Sequence, residues 1–175
     1  MPALFIGRFQ PFHLGHLDVI KKAVKKTDRL FIGIGSSEAN FRPANPFTAS
    51  ERFQMIEAAL IENKIPPEKY TIIPVRNIDN YALWPAHVEL YLPPFEKIYT
   101  GSDTVKSLYK NFNKNRKQPY QIINVQKELK ISSTKIREFI LKNKPWEQYV
   151  PKSVATLIKK WQGLERLKAI QEAEK

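Results

Sequence analysis

Two histidines three residues apart, His13 and His16, stand in the run Gly7-Arg8-Phe9-Gln10-Pro11-Phe12-His13-Leu14-Gly15-His16 near the start of the chain. Side chains three apart share a helix face, and the first turn of a helix offers unpaired N–H groups and the positive end of the macrodipole. Two imidazoles facing such a site suit an anion, and the chemistry they suggest is that of phosphate. Gly7 is expected to let the backbone turn sharply, Pro11 to keep the linker extended, and Gly15 to let a partner approach the new helix unobstructed. A zinc site or a structural pair is the alternative. The chain has no Cys and only one further His, His87, with which to complete a tetrahedral site.

A second stretch carries matching chemistry. In Ile131-Ser132-Ser133-Thr134-Lys135-Ile136-Arg137 the hydroxyls of Ser132 to Thr134 can cap a helix whose buried face is Ile136, Phe139 and Ile140. A first turn normally attracts Asp or Glu, yet this one holds Lys135 and Arg137. Hydroxyls, free N–H groups and two cations together have the composition of a triphosphate clamp, since Arg can grip phosphate in a bidentate fork. A plain capped surface helix is the other reading.

The elements that must position these stretches alternate. Ala3 to Ile6 reads as a strand and Leu17, Ile20 and Val24 as one face of the helix that follows. Leu30 to Gly35 is a second buried strand, and Ser36 to Pro46 a polar loop that holds Arg42. Thr48 and Glu51 form a capping box for a helix with apolar Phe53, Ile56, Ala59 and Leu60. Arg52 sits in its first turn, where the dipole disfavours a cation; either an anionic partner or a nearby carboxylate would account for it. Tyr70 to Val75 is a third strand, placed at an edge or ending early because of Pro74. Pro85 fits the first position of a helix that ends before Pro93, with Trp84 flanking its start. Tyr81 and Trp84 suit either an aromatic plate for a ring or ordinary packing. Glu96 to Gly101 is a fourth strand, Ser102 or Asp103 caps a helix to roughly Asn111, and Tyr120 to Val125 is a fifth strand. After Val150 an amphipathic helix carries Val154, Leu157, Ile158 and Trp161, and Gly163 is expected to separate it from a charged tail helix. This alternation predicts an α/β fold, a parallel five-stranded sheet with helices on both faces. The division expected is a domain over residues 1–145 and a helical extension of it over 146–175.

Composition sets the outer limits. At 175 residues the chain has a single domain's length, and no apolar run reaches the roughly 18 residues that span a bilayer. No basic leader is visible ahead of the first strand, so a cytoplasmic location is expected. Lys and Arg exceed Asp and Glu by 29 to 17, a net charge of +12. Such an excess suits nucleic acid, an anionic membrane surface or a polyanionic small substrate, but much of it is lysine on helix faces. No RNP-type aromatic motif or zinc-finger spacing accompanies it, so nucleic-acid binding would rest on charge alone.

The same residues carry a resemblance. His13-Leu14-Gly15-His16 resembles the HxGH signature of the nucleotidyltransferase superfamily, and the whole run from Gly7 to His16 is similar to the pattern of archaeal-type nicotinamide-nucleotide adenylyltransferases. The clamp resembles the superfamily's ISSTxIR signature, and Gly101-Ser102-Asp103 its GxD turn beside the adenosine. The likeness extends from Leu4 to about Leu167 and takes in the segment Asn45 to Arg52, Trp84, and Pro93-Pro94-Phe95. It implies a Rossmann-like sheet in the order 3-2-1-4-5. It also implies ATP and nicotinamide mononucleotide (NMN) as substrates, Mg²⁺ held mainly by phosphates and water, and a homo-oligomer, possibly a hexamer.

No Ser-His-Asp triad or carboxylate pair is evident, so a covalent intermediate lacks an obvious nucleophile. Direct in-line attack on the α-phosphorus of ATP remains, with catalysis by positioning and charge stabilisation. On this reading His13, His16, Arg8 and Arg137 are catalytic. Gly7, Arg8, Phe9, His13, Gly15, His16, Gly101, Asp103, Ile131, Ser132, Ser133, Thr134 and Arg137 bind ATP, while Arg42, Arg52, Asn77, Tyr81 and Trp84 bind the acceptor. The departures from the family pattern lie mostly on the acceptor side. Asn77 stands where an aspartate is expected, Tyr81 replaces a smaller polar residue, and the loop from Gly35 to Phe41 lacks the usual glutamine and histidine. The clamp has Ser133 in place of glycine. Adenylyl transfer is therefore better specified than its acceptor, for which a deamido-nicotinamide nucleotide, a flavin or a pantetheine is the alternative. A cytidylyltransferase acting on such an acceptor belongs to the same alternative, and a non-catalytic nucleic-acid-binding protein on the same fold stands further off.

Overall fold

The computed structural model describes residues 1–125 and 131–174. Among the described residues five strands, β1 (Ala3–Gly7), β2 (Leu30–Ile34), β3 (Tyr70–Pro74), β4 (Lys97–Thr100) and β5 (Gln121–Asn124), pair in parallel as the alternation predicts, in the order β3-β2-β1-β4-β5 that the resemblance implies. Leu4 stands opposite Phe31 and Ile98, and Phe5 opposite Ile32 and Tyr99. Strand order reverses at β1, so the carboxyl ends of β1 and β4 diverge into a crevice, the place where open α/β sheets bind ligands.

Among the described residues seven α-helices cover the two faces: α1 (Leu14–Val24), α2 (Ala49–Glu62), α3 (Trp84–Tyr91), α4 (Asp103–Asn113), α5 (Ser133–Leu141), α6 (Lys152–Lys160) and α7 (Gly163–Ala173). Successive strand side chains point to opposite faces. Ala3 and Phe5 therefore pack with Leu17 and Ile20 of α1, Ile56 and Leu60 of α2, Ile136 of α5, and Val154, Ile158 and Leu167 of α6 and α7. Leu4 and Ile6 pack with Val88 of α3 and Tyr109 of α4. Apolar burial on both faces explains why β1 and β2 are near-continuous hydrophobic runs. Edge strand β3 tolerates Pro74 at its last position because no further strand needs a hydrogen bond there. The final helices are part of the same core, and Arg166 of α7 ties them to α2 through Glu51 at 2.7 Å.

The local geometry corrects the sequence reading in four places. Gly7 does not turn the chain: no glycine has a positive φ, and the left-handed residue is Phe9, at φ 52°. The space left by Gly7 is taken by the Phe9 ring, which a Cβ would meet at 3.0 Å. The Gln10–Pro11 bond is cis, within a turn rather than an extended linker. Helix α3 starts one residue early, with Trp84 inside it rather than flanking it. Gly163 opens α7 instead of separating two helices; Gln162 takes the left-handed link, and a Cβ at Gly163 would sit 2.6 Å from Ile158 Cγ2.

Candidate active site

At the crevice the carboxyl ends of β1 and β4 and the first turns of α1, α4 and α5 enclose a cavity of about 390 Å³. That volume is in the range of small-molecule sites. Three helices thus present their N-terminal N–H groups to one space, and neither α1 nor α5 has an acidic residue in its first turn.

The two histidines are built into the end of α1. His13 is its N-cap, and its Nδ1 accepts the Gly15 N–H at 3.1 Å. His16, at N3, accepts the His13 N–H on its own Nδ1 at 3.2 Å. This is a capping box made from two imidazoles. With each Nδ1 engaged as an acceptor, the neutral ring carries its proton on Nε2. The rings stack at 3.6 Å, and Phe5, Phe9 and Phe12 surround His16 at 4.9–6.2 Å between centroids. Gly15 serves this pairing: the space expected for an approaching partner lies 3.0 Å from the His13 ring itself.

On the opposite wall, Ser132 caps α5 by accepting the Lys135 N–H at 3.2 Å, and the Ser133 hydroxyl donates to Pro11 O at 3.0 Å, joining the two motifs. Arg137 donates to Gln10 O at 2.7 Å and to Thr134 Oγ1 at 3.4 Å, and its guanidinium lines the cavity with that of Arg8. Burial, and then the charge of Arg8, lower the pKa of Arg137. Arg8 and Arg137 both line the cavity, with no carboxylate among the described residues that line it, an arrangement that suits an anion. Lys135, counted in the clamp, turns outward instead to Glu138 and the Phe139 ring.

Gly7, Arg8, Phe9, His13, Gly15, His16, Gly101, Ser132, Ser133, Thr134, Arg137, Asn77 and Trp84 all line the cavity. Five residues assigned from the sequence do not. Ile131 packs into the core, one residue before the cap. Asp103, 97% exposed, pairs with Lys106 at 2.6 Å outside the wall that Gly101 and Ser102 form. Arg42 is exposed in a backbone bridge with Asn45, and Tyr81 lies in a separate hollow with Leu108 and Phe112. Arg52 is fully buried, and its guanidinium donates to the carbonyls of Thr48, Arg8, Gly35 and Ser36 at 2.8–3.2 Å. No carboxylate among the described residues hydrogen-bonds to it, although the charge of Glu38 acts on it.

Several wall residues are not among those the sequence assigns to ATP or to the acceptor: Gln10, Gly35, Ser36, Thr100, and Ser102, which it marks only as part of a turn and a cap. Gln10 left a trace there, as a polar side chain between Phe9 and Pro11-Phe12. It is 1% exposed, and its amide both accepts from Phe47 N and donates to Phe47 O, at 2.9 and 2.8 Å. Ser36 and Thr100 left none, because they enter through the ends of strands. On the acceptor side the Asn77 N–H donates to Glu38 Oε2 at 3.0 Å, linking the loops after β2 and β3. Trp84 meets Tyr109 edge-on at 6.0 Å and lines the cavity as well, so packing and site coincide there.

Comparison with known proteins bears on this arrangement. The cytidylyltransferase-like family model matches residues 4–139. A protein of Pyrobaculum arsenaticum named nicotinamide-nucleotide adenylyltransferase is 41% identical over 173 residues, 98% of this chain and 94% of that one. Among solved structures, a bifunctional NMN adenylyltransferase/ADP-ribose pyrophosphatase from Francisella tularensis superposes with a TM-score of 0.78 at 25% identity. That match covers 97% of this chain but only 52% of the bifunctional one, so the chain spans about half of its length. The same Francisella protein complexed with AMP and a manganese ion matches with a TM-score of 0.72 at 25% identity, over 97% and 51% of the two chains.

Proposed function

This chain belongs to the nicotinamide-nucleotide adenylyltransferases, within the cytidylyltransferase-like family, and on that premise we propose that it moves AMP from ATP onto NMN, giving NAD and pyrophosphate. The observation that carries the reading is the anion site itself: two Nε2-protonated imidazoles, Arg8 and Arg137, and the open first turns of α1 and α5 around one cavity.

A phosphate oxygen of NMN attacks the α-phosphorus of ATP, a P–O bond forms there, and the bond to the oxygen bridging the α and β phosphates breaks. Pyrophosphate leaves with the electron pair. His13 and His16 donate to the α-phosphate and bridging region, where charge grows as the bond breaks. Arg8 and Arg137 face the developing charge across the cavity, and the cap of α5 holds the β and γ phosphates. Asn77 and Trp84 lie where the nicotinamide half would enter. The donor set on the wall is imidazole, hydroxyl, amide and guanidinium, which suits a metal that arrives on the phosphates rather than one caged by the protein. Mg²⁺ bound in this way would neutralise charge on the departing pyrophosphate. A homo-oligomer and a cytoplasmic location complete the proposal; no helix among the described residues is long and apolar enough to cross a membrane.

Pyrophosphate release from Mg-ATP tests it, with NMN, its deamido form, flavin mononucleotide and phosphopantetheine offered separately. Release with NMN is the expected outcome. Release only with another acceptor would keep the reaction and replace the substrate, and release with none would overturn the enzyme reading.

A further inference from the structure

Among the described residues Arg52 is the largest side chain with no exposure, and none of their carboxylates supplies a hydrogen bond to its charge. Burial pushes its pKa down to about 10, with Glu38 raising it and Arg8 lowering it by charge, so it remains a cation at neutral pH. Its acceptors are four backbone carbonyls, and three of them, Arg8 O, Gly35 O and Ser36 O, come from the carboxyl ends of β1 and β2. Those residues also line the cavity.

Their position matters because Arg8, Gly35 and Ser36 border the cavity. A carbonyl oxygen there that had no donor and turned toward a phosphate would repel it. One planar guanidinium, with Nη1 between Arg8 O and Gly35 O and Nη2 on Ser36 O, takes up the whole set and fixes the two strand ends to each other. The Nε of the same group is anchored on Thr48 O at the cap of α2. We propose that Arg52 is a positioning residue of the adenylyl-transfer site: by holding the carbonyls at the ends of β1 and β2 it sets where the Arg8 side chain meets the phosphates. The proposal rests on the adenylyl-transfer reading and adds a residue that touches no substrate.

Lysine keeps the charge but cannot span carbonyls on two strands with a planar fork, so Arg52→Lys is the discriminating variant, and it is combined with Arg8→Ala in a double-mutant cycle. Two quantities are read on folded protein: kcat for pyrophosphate release, and the Kd of inorganic pyrophosphate by calorimetry. Arg52→Lys is expected to lower kcat about tenfold or more and to weaken pyrophosphate binding about fivefold. In the Arg8→Ala background the same substitution is expected to change either by less than twofold, because the group it positions is gone.

A merely structural Arg52 would lower the melting temperature and leave kcat per folded molecule unchanged. Normal kcat and Kd in folded Arg52→Lys, or full additivity with Arg8→Ala, overturns the proposal. So does failure of both Arg52→Lys and Arg52→Gln to fold, since the clamp would then serve the fold as a whole. If wild-type protein binds pyrophosphate and the binding cycle behaves as expected but no acceptor turns over, the reaction assignment fails and the positioning role stands.

Discussion

Helices α1 and α2 both start at the carboxyl edge of the same sheet, and their first turns are finished in opposite ways. At α2 the Thr48 hydroxyl accepts the Glu51 N–H, and the Glu51 carboxylate accepts the Thr48 N–H at 2.9 Å while gripping Arg166 through both oxygens. The positive end of that helix is closed by a carboxylate of the protein itself. Helix α6 is closed in the same sense, by Glu62, which accepts the Ser153 N–H at 2.9 Å. At α1 the same two-way cap is made by imidazoles, and at α5 a serine hydroxyl alone accepts one N–H, with no acid in either first turn. A cap can therefore satisfy the N–H groups of a helix without neutralising its dipole. Where it does so, at α1 and α5, the field is left for a ligand, and both of these open ends face one cavity.

The contrast is broken most directly at His16. Replacing it with Ala removes one Nε2–H donor from the cavity and the acceptor for the His13 N–H. The expected loss of turnover is roughly a hundredfold or more, the size found when one preorganised donor is deleted. The cost in stability should be about 1 kcal/mol, since the Ser-like half of the box, His13 to Gly15, stays intact. Pyrophosphate release and a thermal melt on the same preparation check both parts. Unchanged turnover would return the open cap of α1 to a purely structural role.

How far the sequence reveals these ends depends on the kind of group that makes them. The strands and the helix faces were legible because buried strands read as continuous apolar runs, as in Leu30–Ile34, and amphipathic helices space their apolar residues, as in Val154 and Ile158, whereas the order of the strands came from the resemblance. The gathering of His13, His16 and Ser132 at one cavity was legible for a related reason: they stand at helix starts, and a start is a local feature of a few consecutive residues. Arg52 was misplaced because its partners are main-chain oxygens that come from three separate segments, and nothing in residue type or spacing marks a carbonyl. Arg42 and Tyr81 were misplaced for a different reason. They belong to loops, whose course is set by backbone links such as the Arg42–Asn45 bridge and the bond from Asn77 N to Glu38. Residues carried on loops were thus harder to place than those carried at helix ends.

A closed end should show the reverse pattern from His16. In Glu51→Ala the Thr48 N–H loses its acceptor and Arg166, itself largely buried, loses its carboxylate. The two losses together should cost about 2 kcal/mol, a fall in Tm of roughly 4–8 °C for a chain of this size. Turnover at 25 °C should stay within about twofold of wild type, because Glu51 does not line the cavity. Denaturation and pyrophosphate release, measured side by side, decide it; a large loss of turnover at full stability would mean that the end of α2 also serves the site.

The smallest effect is expected at the closed end of α6, and it sharpens the comparison through pH. Burial alone would raise the Glu62 carboxyl, but hydrogen bonds from Ser153 and the Lys152 backbone, then the charge of Lys152, outweigh it and hold its pKa below the usual 4.5. A carboxyl held low in the folded state releases its proton more readily there than in the unfolded chain. The stability it contributes is therefore fully present above the unfolded value, near 4.5, and is lost as pH falls through the folded value. Glu62 is mostly exposed, so solvent screens the contribution to on the order of 0.5 kcal/mol at neutral pH. Glu62→Gln should cost about that much at pH 7 and flatten the decline of stability below pH 4.5, and urea titrations across that range measure the slope. Equal slopes for the two proteins would show that α6 is not closed by charge, leaving α2 as the one helix end on which the contrast with α1 and α5 stands.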